Sequence, residues 1–240
     1  MVLGLRLEKK LLKSIRILIT ILPLVSRILK GMYLDYKKII QYLFPLSEDE
    51  RSIINILPEN FVRKMQVRRT DEVSSLLSYS DKQVRSAIHL LKFHNHTHAK
   101  ILLSAVLWTY LSDMSETLSR TYIIIPVPLS KKRERQRGYN QVTEVIQQEA
   151  KKLDNAKIEK NILIRARHTP PQTSLSREQR LTNVCDAFSI KNQKSATQKL
   201  TGQHVILVDD VMTTGATLKA AKASLLPLSP ASITCIALAH

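Results

Sequence analysis

The stretch HVILVDDVMTTGATLKAA, His204 to Ala221, runs a short apolar strand into two adjacent aspartates, then threonines around a glycine, then a helical pattern. Consecutive apolar residues from Val205 to Val208 suit a strand buried on both faces, and the helical period resumes after the glycine. A buried strand that passes into a helix through a polar turn is the unit of a parallel α/β sheet, where ligands sit at the carboxyl ends of the strands. Here that end carries Asp209 and Asp210. Two carboxylates side by side repel unless they accept hydrogen bonds or face a cation, and vicinal sugar hydroxyls are good donors for such a pair. The next residues, Val211, Met212, Thr213, Thr214, Gly215, Ala216 and Thr217, offer backbone N–H groups, three hydroxyls and the positive end of a helix dipole. Gly215 permits close approach of the backbone. That set suits a phosphate monoester, and the two halves together describe a ribose 5-phosphate.

The surrounding text repeats the strand and helix alternation. TYIIIPVPL (121–129) reads as a buried strand, residues 141–153 as a helix, NILIRA (161–166) as a strand, residues 214–226 as a helix and SITCIALA (232–239) as a final strand. Such alternation implies one parallel sheet covered by helices on both faces. Upstream, Ser80 or Asp81 can cap a helix bearing Val84, Ile88, Leu90 and Leu91, and a second helix follows through Ile101, Leu102, Val106, Leu107 and Leu111. The first seventy residues read as short helical segments punctuated by Pro23, Gly31, Pro45 and Pro58, with no sustained strand pattern. The organisation expected is a helical N-terminal extension over 1–75 and an α/β domain over 76–240.

Among 240 residues, 37 are Lys or Arg and 20 are Asp or Glu, a formal net charge of +17. The excess lies at the two ends of the chain around a balanced middle. It points to anionic partners, whether phosphorylated small molecules, nucleic acid or an acidic membrane surface. Two cysteines, Cys185 and Cys235, make neither a disulfide framework nor a cysteine zinc site, so a reducing cytoplasm is expected. IRILITILPLVSRIL (15–29) is broken by Pro23, Ser26 and Arg27 and is shorter than the roughly 20 apolar residues a membrane span needs. It reads as an amphipathic helix with its basic residues toward water.

Three further segments invite chemistry. SKKRERQRGYNQ (130–141) places Lys131, Lys132, Arg133, Arg135 and Arg137 at a strand's carboxyl end before Gly138, a basic loop able to meet a second anion such as pyrophosphate. A solvated charge run is the alternative reading for the lysines. The long polar stretch after NILIRA reads either as a lid that Arg177 and Arg180 close over a polyanion or as an exposed linker. His89, His94, His96 and His98 invite a metal reading, with His94, His96 and His98 alternating, but they lie in a short polar connection between helices with no carboxylate beside them, and Trp108 reads as core.

Four motifs in order, YSDKQVRSAIHLLKFHNH (79–96), PVPLSKKRERQRGYNQ (126–141), RHTPPQTSLSREQRLTNVCDAF (167–188) and the acid–threonine segment through ALAH (237–240), resemble the ComF/GntX family. Its members carry a type I phosphoribosyltransferase domain that binds phosphoribosyl pyrophosphate, PRPP. The resemblance spans about residues 76–240 and implies that fold, a parallel sheet flanked by helices. It implies PRPP contacts from Asp209 through Thr217, and a pyrophosphate loop at Arg137, Gly138, Tyr139 and Asn140, running to Gln141. A flexible loop with Gln172, Arg177, Arg180 and Asn183 is also implied. Asp209, Asp210, Arg177, Arg180 and Lys92 are its catalytic candidates, with Lys92 contributed from outside the sheet. Magnesium is the implied cofactor, held mainly by ligand oxygens rather than by side chains. Many relatives begin with a four-cysteine zinc ribbon; residues 1–75 contain no cysteine, YLFPLSEDERSIINILPENF (42–61) stands in that place, and no zinc is expected. The implied reaction transfers a phosphoribosyl group to a nitrogen acceptor that the sequence does not name. A non-catalytic, PRPP-responsive role in DNA uptake, with single-stranded DNA or the competence machinery as partners, is the alternative, and homo-oligomers are compatible with either.

Overall fold

The computed structural model describes residues 47–70, 72–118, 121–149, 155–165 and 187–240. Its centre is a six-stranded sheet built from β1 (Arg68–Arg69), β2 (Val73–Leu77), β3 (Tyr122–Pro126), β4 (Ala156–Ile158), β7 (His204–Val211) and β8 (Ser232–Ala239). The order is β1-β2-β8-β7-β3-β4, with every pairing parallel except β1 against β2. The described helices are α1 (Glu48–Ile53), α2 (Pro58–Val62), α3 (Lys82–His94), α4 (Thr97–Leu118), α5 (Lys131–Arg137), α6 (Gln141–Gln148), α7 (Gln193–Leu200) and α8 (Ala216–Leu225). This is the α/β architecture that the alternation implied.

The two faces of the sheet carry separate cores because side chains alternate along each strand. On one face Ile124, Ile206, Val208 and Ile236 pack with the apolar sides of α3, α4 and α6. On the other, Ile123, Ile125, Val205, Leu207 and Ala237 pack with α7 and α8. A strand buried on both sides needs apolar residues at every position, which is why β3 and β7 read as unbroken runs. The chain leaves β3 toward β4 on one side, whereas β7 is followed by β8 on the other. The direction of winding therefore reverses between the neighbouring strands β3 and β7, and a crevice opens at their carboxyl ends.

Several expectations need correction. NILIRA does not join the main sheet: β5 (Leu163–Arg165) pairs antiparallel with β6 (Phe188–Ile190) in a sheet of two strands. Its middle residue Ile164 is 39% exposed, so one face of this strand looks to solvent, unlike β3 or β7. The neighbour of β3 is instead β4, a short strand that apolar run length did not reveal. The N-terminal part is not helix alone, since β1 and β2 extend the sheet back to Arg68, across the expected division at 75 and 76. Ser74 and Ser75 mask the apolar pattern of β2, yet Ser75 is buried and its hydroxyl meets His240 Nδ1 at 2.9 Å. Finally, KKRERQR is not a loop but α5. The Ser130 hydroxyl caps its start by accepting from the Arg133 N–H, and Gly138 ends it at φ 78°. Lys, Arg, Glu and Gln are strong helix formers, and a serine cap before them with glycine after them completes the signal.

Helix α3 presents the lysine of the LLKFH motif, and local chemistry fixes both of its ends. Asp81 accepts from the N–H groups of Gln83 and Val84 and also pairs with Lys64 at 2.8 Å. The acidic first turn of α1 holds its outer face: Glu48 meets Lys82, and Asp49 takes the Ser86 hydroxyl and His89 Nδ1. Replacing Asp81 with alanine removes the cap and the ion pair together. Urea denaturation should show a loss of about 1 to 2 kcal/mol, and an unchanged midpoint would contradict this account of the helix start.

Candidate functional site

The period of the strand decides how the acid pair is used. Counting along β7, Val205, Leu207 and Asp209 share one face, while Ile206, Val208 and Asp210 share the other. Asp210 therefore turns toward the α3 and α6 layer. There its Oδ2 accepts from Gln141 Nε2 at 2.6 Å and lies 3.1 Å from Lys92 Nζ, while its Oδ1 accepts from the Val211 N–H at 2.6 Å. Only 9% of Asp210 is exposed, and a carboxylate so buried persists because cations and donors surround it. Asp209 accepts the Asp210 N–H at 2.9 Å and faces the threonine turn and the mouth of the crevice. Burial, and next the Asp210 carboxylate beside it, pushes the Asp209 carboxyl up to about 7, against the opposing pull of the Asp210 N–H, Lys92 and Arg165.

The crevice itself, about 220 Å³, is lined by Lys92, Val127, Pro128, Leu129, Arg133, Arg137, Gln141, Arg165, Asp209, Asp210, Val211 and Thr217. Four cations and two acids thus meet at one sheet edge. Beside it a smaller hollow is formed by Asp209 and the residues from Val211 to Leu218. Gly215 stands at φ 74° as the N-cap of α8 and supplies no side-chain cap, so anions have access to the first turn's N–H groups. A larger cavity, about 530 Å³, opens at the opposite edge beside Tyr122, His204 and Ser232. It gathers no acid pair, unlike the hollow at the carboxyl edge.

The residues of the expected pyrophosphate loop turn out to do different things. Arg137 lines the crevice and donates from Nη1 to Gln141 Oε1 at 2.8 Å, with its guanidinium 5.5 Å from the centre of the Phe93 ring. Gly138 closes α5. The Tyr139 hydroxyl donates to the Leu91 carbonyl at 2.7 Å and accepts from the Asn95 N–H at 3.0 Å, pinning the C-terminal end of α3. Asn140 caps α6 by accepting from Val142 and Thr143, and donates from Nδ2 to the Val127 carbonyl. Gln172, Arg177, Arg180 and Asn183 lie outside the described residues.

Arg165 is the site residue that sequence reasoning missed. It reads as the end of a strand, yet its guanidinium lines the crevice and packs 5.2 Å from the Phe188 ring. Burial, then the neighbouring Arg133 charge, draws its pKa down, while Asp209 opposes. The only signal for it was a lone cation at the carboxyl end of an apolar run. The histidines scatter to separate partners, His89 to Asp49, His96 toward Glu50 and His98 to the Ile56 carbonyl, and among the described residues no group of three potential metal ligands assembles. Trp108 is core at 3% exposure. Among those residues no helix is long and apolar enough to cross a membrane.

Known proteins match the stretch of chain that runs from the end of β3 through β8. A family model for the phosphoribosyl transferase domain matches residues 126–240. The chain is 38% identical over 133 residues to Competence protein F of Haemophilus influenzae, a match covering 55% of this chain and 56% of that protein. It is 29% identical over 198 residues to Competence protein ComFC of Bacillus subtilis, covering 79% and 74% respectively. DNA utilization protein YhgH of Escherichia coli O6:H1 is 31% identical over 132 residues, covering 54% of this chain and 55% of that one. The matched region thus spans little more than half the length of the Haemophilus and Escherichia relatives.

The raised Asp209 carboxyl has a measurable consequence. The folded chain keeps this proton up to about pH 7, whereas the unfolded chain releases it near the ordinary value of 3.8. The group's contribution to stability is therefore fully present below pH 4 and is lost as pH rises through 7. Thermal melts from pH 4.5 to 8 should show a steeper fall in the intact protein than in Asp209→Asn. Parallel curves would refute the assignment.

Proposed function

Because this chain belongs to the ComF family and carries a phosphoribosyl transferase domain, we propose that its carboxyl-edge crevice binds PRPP and transfers the 5-phosphoribosyl group to a nitrogen acceptor, releasing pyrophosphate. One observation carries this reading: Asp209, the Thr213–Thr217 turn and the cations Lys92, Arg133, Arg137 and Arg165 border adjoining hollows at the ends of β3 and β7. Hydroxyl-binding carboxylate, phosphate-binding turn and pyrophosphate-binding cations are the three things PRPP needs.

In this reading the 5-phosphate lies against the N–H groups and hydroxyls of the threonine turn. The ribose hydroxyls donate to Asp209, whose carboxylate is held by a single hydrogen bond from the described residues, while Asp210 is occupied by Val211, Gln141 and Lys92. The acceptor nitrogen forms its bond to ribose C1 as the bond from C1 to the pyrophosphate oxygen breaks, with positive charge developing on the sugar ring. Arg133, Arg137 and Arg165 stabilise the negative charge that collects on the departing pyrophosphate, and the fixed geometry reduces the entropy of reaction. The donor set fits magnesium carried mainly on ligand oxygens, since Asp210 is filled by protein donors and Asp209 retains capacity. When bound, the ion would neutralise pyrophosphate charge. The cytoplasm is the proposed setting, and Cys235 is a buried free thiol.

A second reading is favoured by the outer surface of α5, where Lys131, Lys132, Arg133 and Arg135 are all exposed next to the crevice, and by the competence and DNA utilization names of the relatives. Here the protein binds PRPP without consuming it and handles single-stranded DNA during uptake. DNA affinity that falls steeply with salt would favour it.

Isothermal titration with PRPP and magnesium tests the site. The intact chain should bind, Thr214→Ala should weaken binding about tenfold through a lost hydrogen bond to a charged group, and Lys92→Met should weaken it at least as much. No heat of binding in the intact protein would refute the PRPP reading. Pyrophosphate release, followed across a panel of bases and amines, then separates the two roles: bound but unconsumed PRPP selects the second.

A further inference from the structure

Gln141 is the first residue of α6, 2% exposed, and both ends of its amide are engaged at the centre of the crevice wall. Its Oε1 accepts from Arg137 Nη1 at 2.8 Å, and its Nε2 donates to Asp210 Oδ2 at 2.6 Å. We propose that Gln141 is a positioning residue that carries the influence of Arg137 to Asp210 and, through the Asp210 N–H that donates to Asp209 at 2.9 Å, to the acid on the ribose side. This rests on the reading of the crevice as a PRPP site.

A carboxamide is asymmetric, donating from one end and accepting at the other. Turning the amide over would set its oxygen against the Asp210 carboxylate and its NH2 group against the Arg137 guanidinium, two repulsive contacts in place of two attractive ones. Arg137 therefore fixes the orientation that Asp210 requires. A charge at each end also polarises the amide and strengthens both bonds, more so in a buried setting than in water. A guanidinium has five N–H donors, so the bond to Gln141 occupies one and leaves others for an anion. A direct Arg137–Asp210 pair would have spent that capacity.

The same Asp210 oxygen is reached from the opposite side by Lys92, and Arg137 rests on Phe93, the next residue along α3. Tyr139, two residues before Gln141, pins the end of that helix through Leu91 and Asn95. The segment from Arg137 to Gln141 is thus a brace between α3 and the end of β7, with Gln141 as the element that touches the acid.

Ribose 5-phosphate isolates the effect because it carries no pyrophosphate for Arg137 to hold, while the double variant and inorganic phosphate separate the relay from a general loss of positive charge in the crevice. Dissociation constants for ribose 5-phosphate are measured by titration calorimetry in the intact chain, Arg137→Met, Gln141→Met and the double variant. Each single change should weaken binding about tenfold, the size of one hydrogen bond to a charged group, and the double variant should be no weaker than Gln141→Met. Inorganic phosphate, followed by phosphorus NMR, should bind the threonine turn equally in all four. Additive losses, or an unaltered affinity in Arg137→Met, would overturn the relay, and so would a parallel loss of phosphate binding, which marks a merely structural role. If Gln141→Met does not fold, Gln141→Asn, whose shorter amide cannot span both partners, takes its place with the same expectations. Failure of the intact chain to bind either PRPP or ribose 5-phosphate overturns the reading of the crevice itself.

Discussion

A carboxylate buried where a parallel strand leaves the sheet has to be held from several directions at once, and Asp210 is held from three. The Val211 N–H comes from its own strand, Lys92 from α3 and Gln141 from α6. Removing one partner of a buried charge commonly costs several kcal/mol, so the requirement constrains everything around it. Helix α3 must end where Lys92 can reach across, which explains the acidic grip of α1 on its outer face and the Tyr139 hydroxyl at its end. Helix α6 must begin at the crevice, and Asn140 caps it there while fastening to the Val127 carbonyl beyond β3. The helical layer and the sheet, already packed through their apolar faces, also meet at this one charge.

Its neighbour Asp209 is the opposite case. The two-residue period of a strand sends it to the other face, where it meets the crevice mouth and the threonine turn rather than the helical layer. It keeps one hydrogen bond from the described residues, and burial, then the Asp210 carboxylate, pushes its carboxyl up. Two residues that look equivalent in the sequence thus divide, one fastening the helical layer and the other facing the crevice mouth.

Much of this was legible in the chain. The unbroken apolar runs of β3 and β7, the polar turn at Gly215 and the helix after it point to a parallel sheet with its site at the carboxyl edge, because double-sided burial leaves no alternation to confuse the reading. The cap at Asp81 and the apolar stripe of α3 were legible for the same reason: local chemistry sets them. Short elements were not. The strands β4 and β5 each have three residues, too few for a period, and only pairing across the chain shows that β4 belongs to the main sheet and β5 does not. KKRERQR has no apolar stripe, so its charge suggested a loop although its propensity and its caps favour a helix.

The sequence by itself determined the α/β architecture, the acid pair at a strand end and the threonine and glycine turn after it, since each is encoded by residues close together whose periodicity or conformation is local. Only the tertiary structure decided that Lys92, Gln141 and Asp210 meet, that Tyr139 fastens the end of α3 and Asn140 the start of α6, and that Arg165 enters the crevice. Those contacts join residues separated by 48 and 69 positions in the Tyr139–Leu91 and Gln141–Asp210 bonds, and no spacing rule reaches so far. They follow from the winding of the sheet, which brings the ends of β3 and β7 together and sets two helix ends over one buried charge.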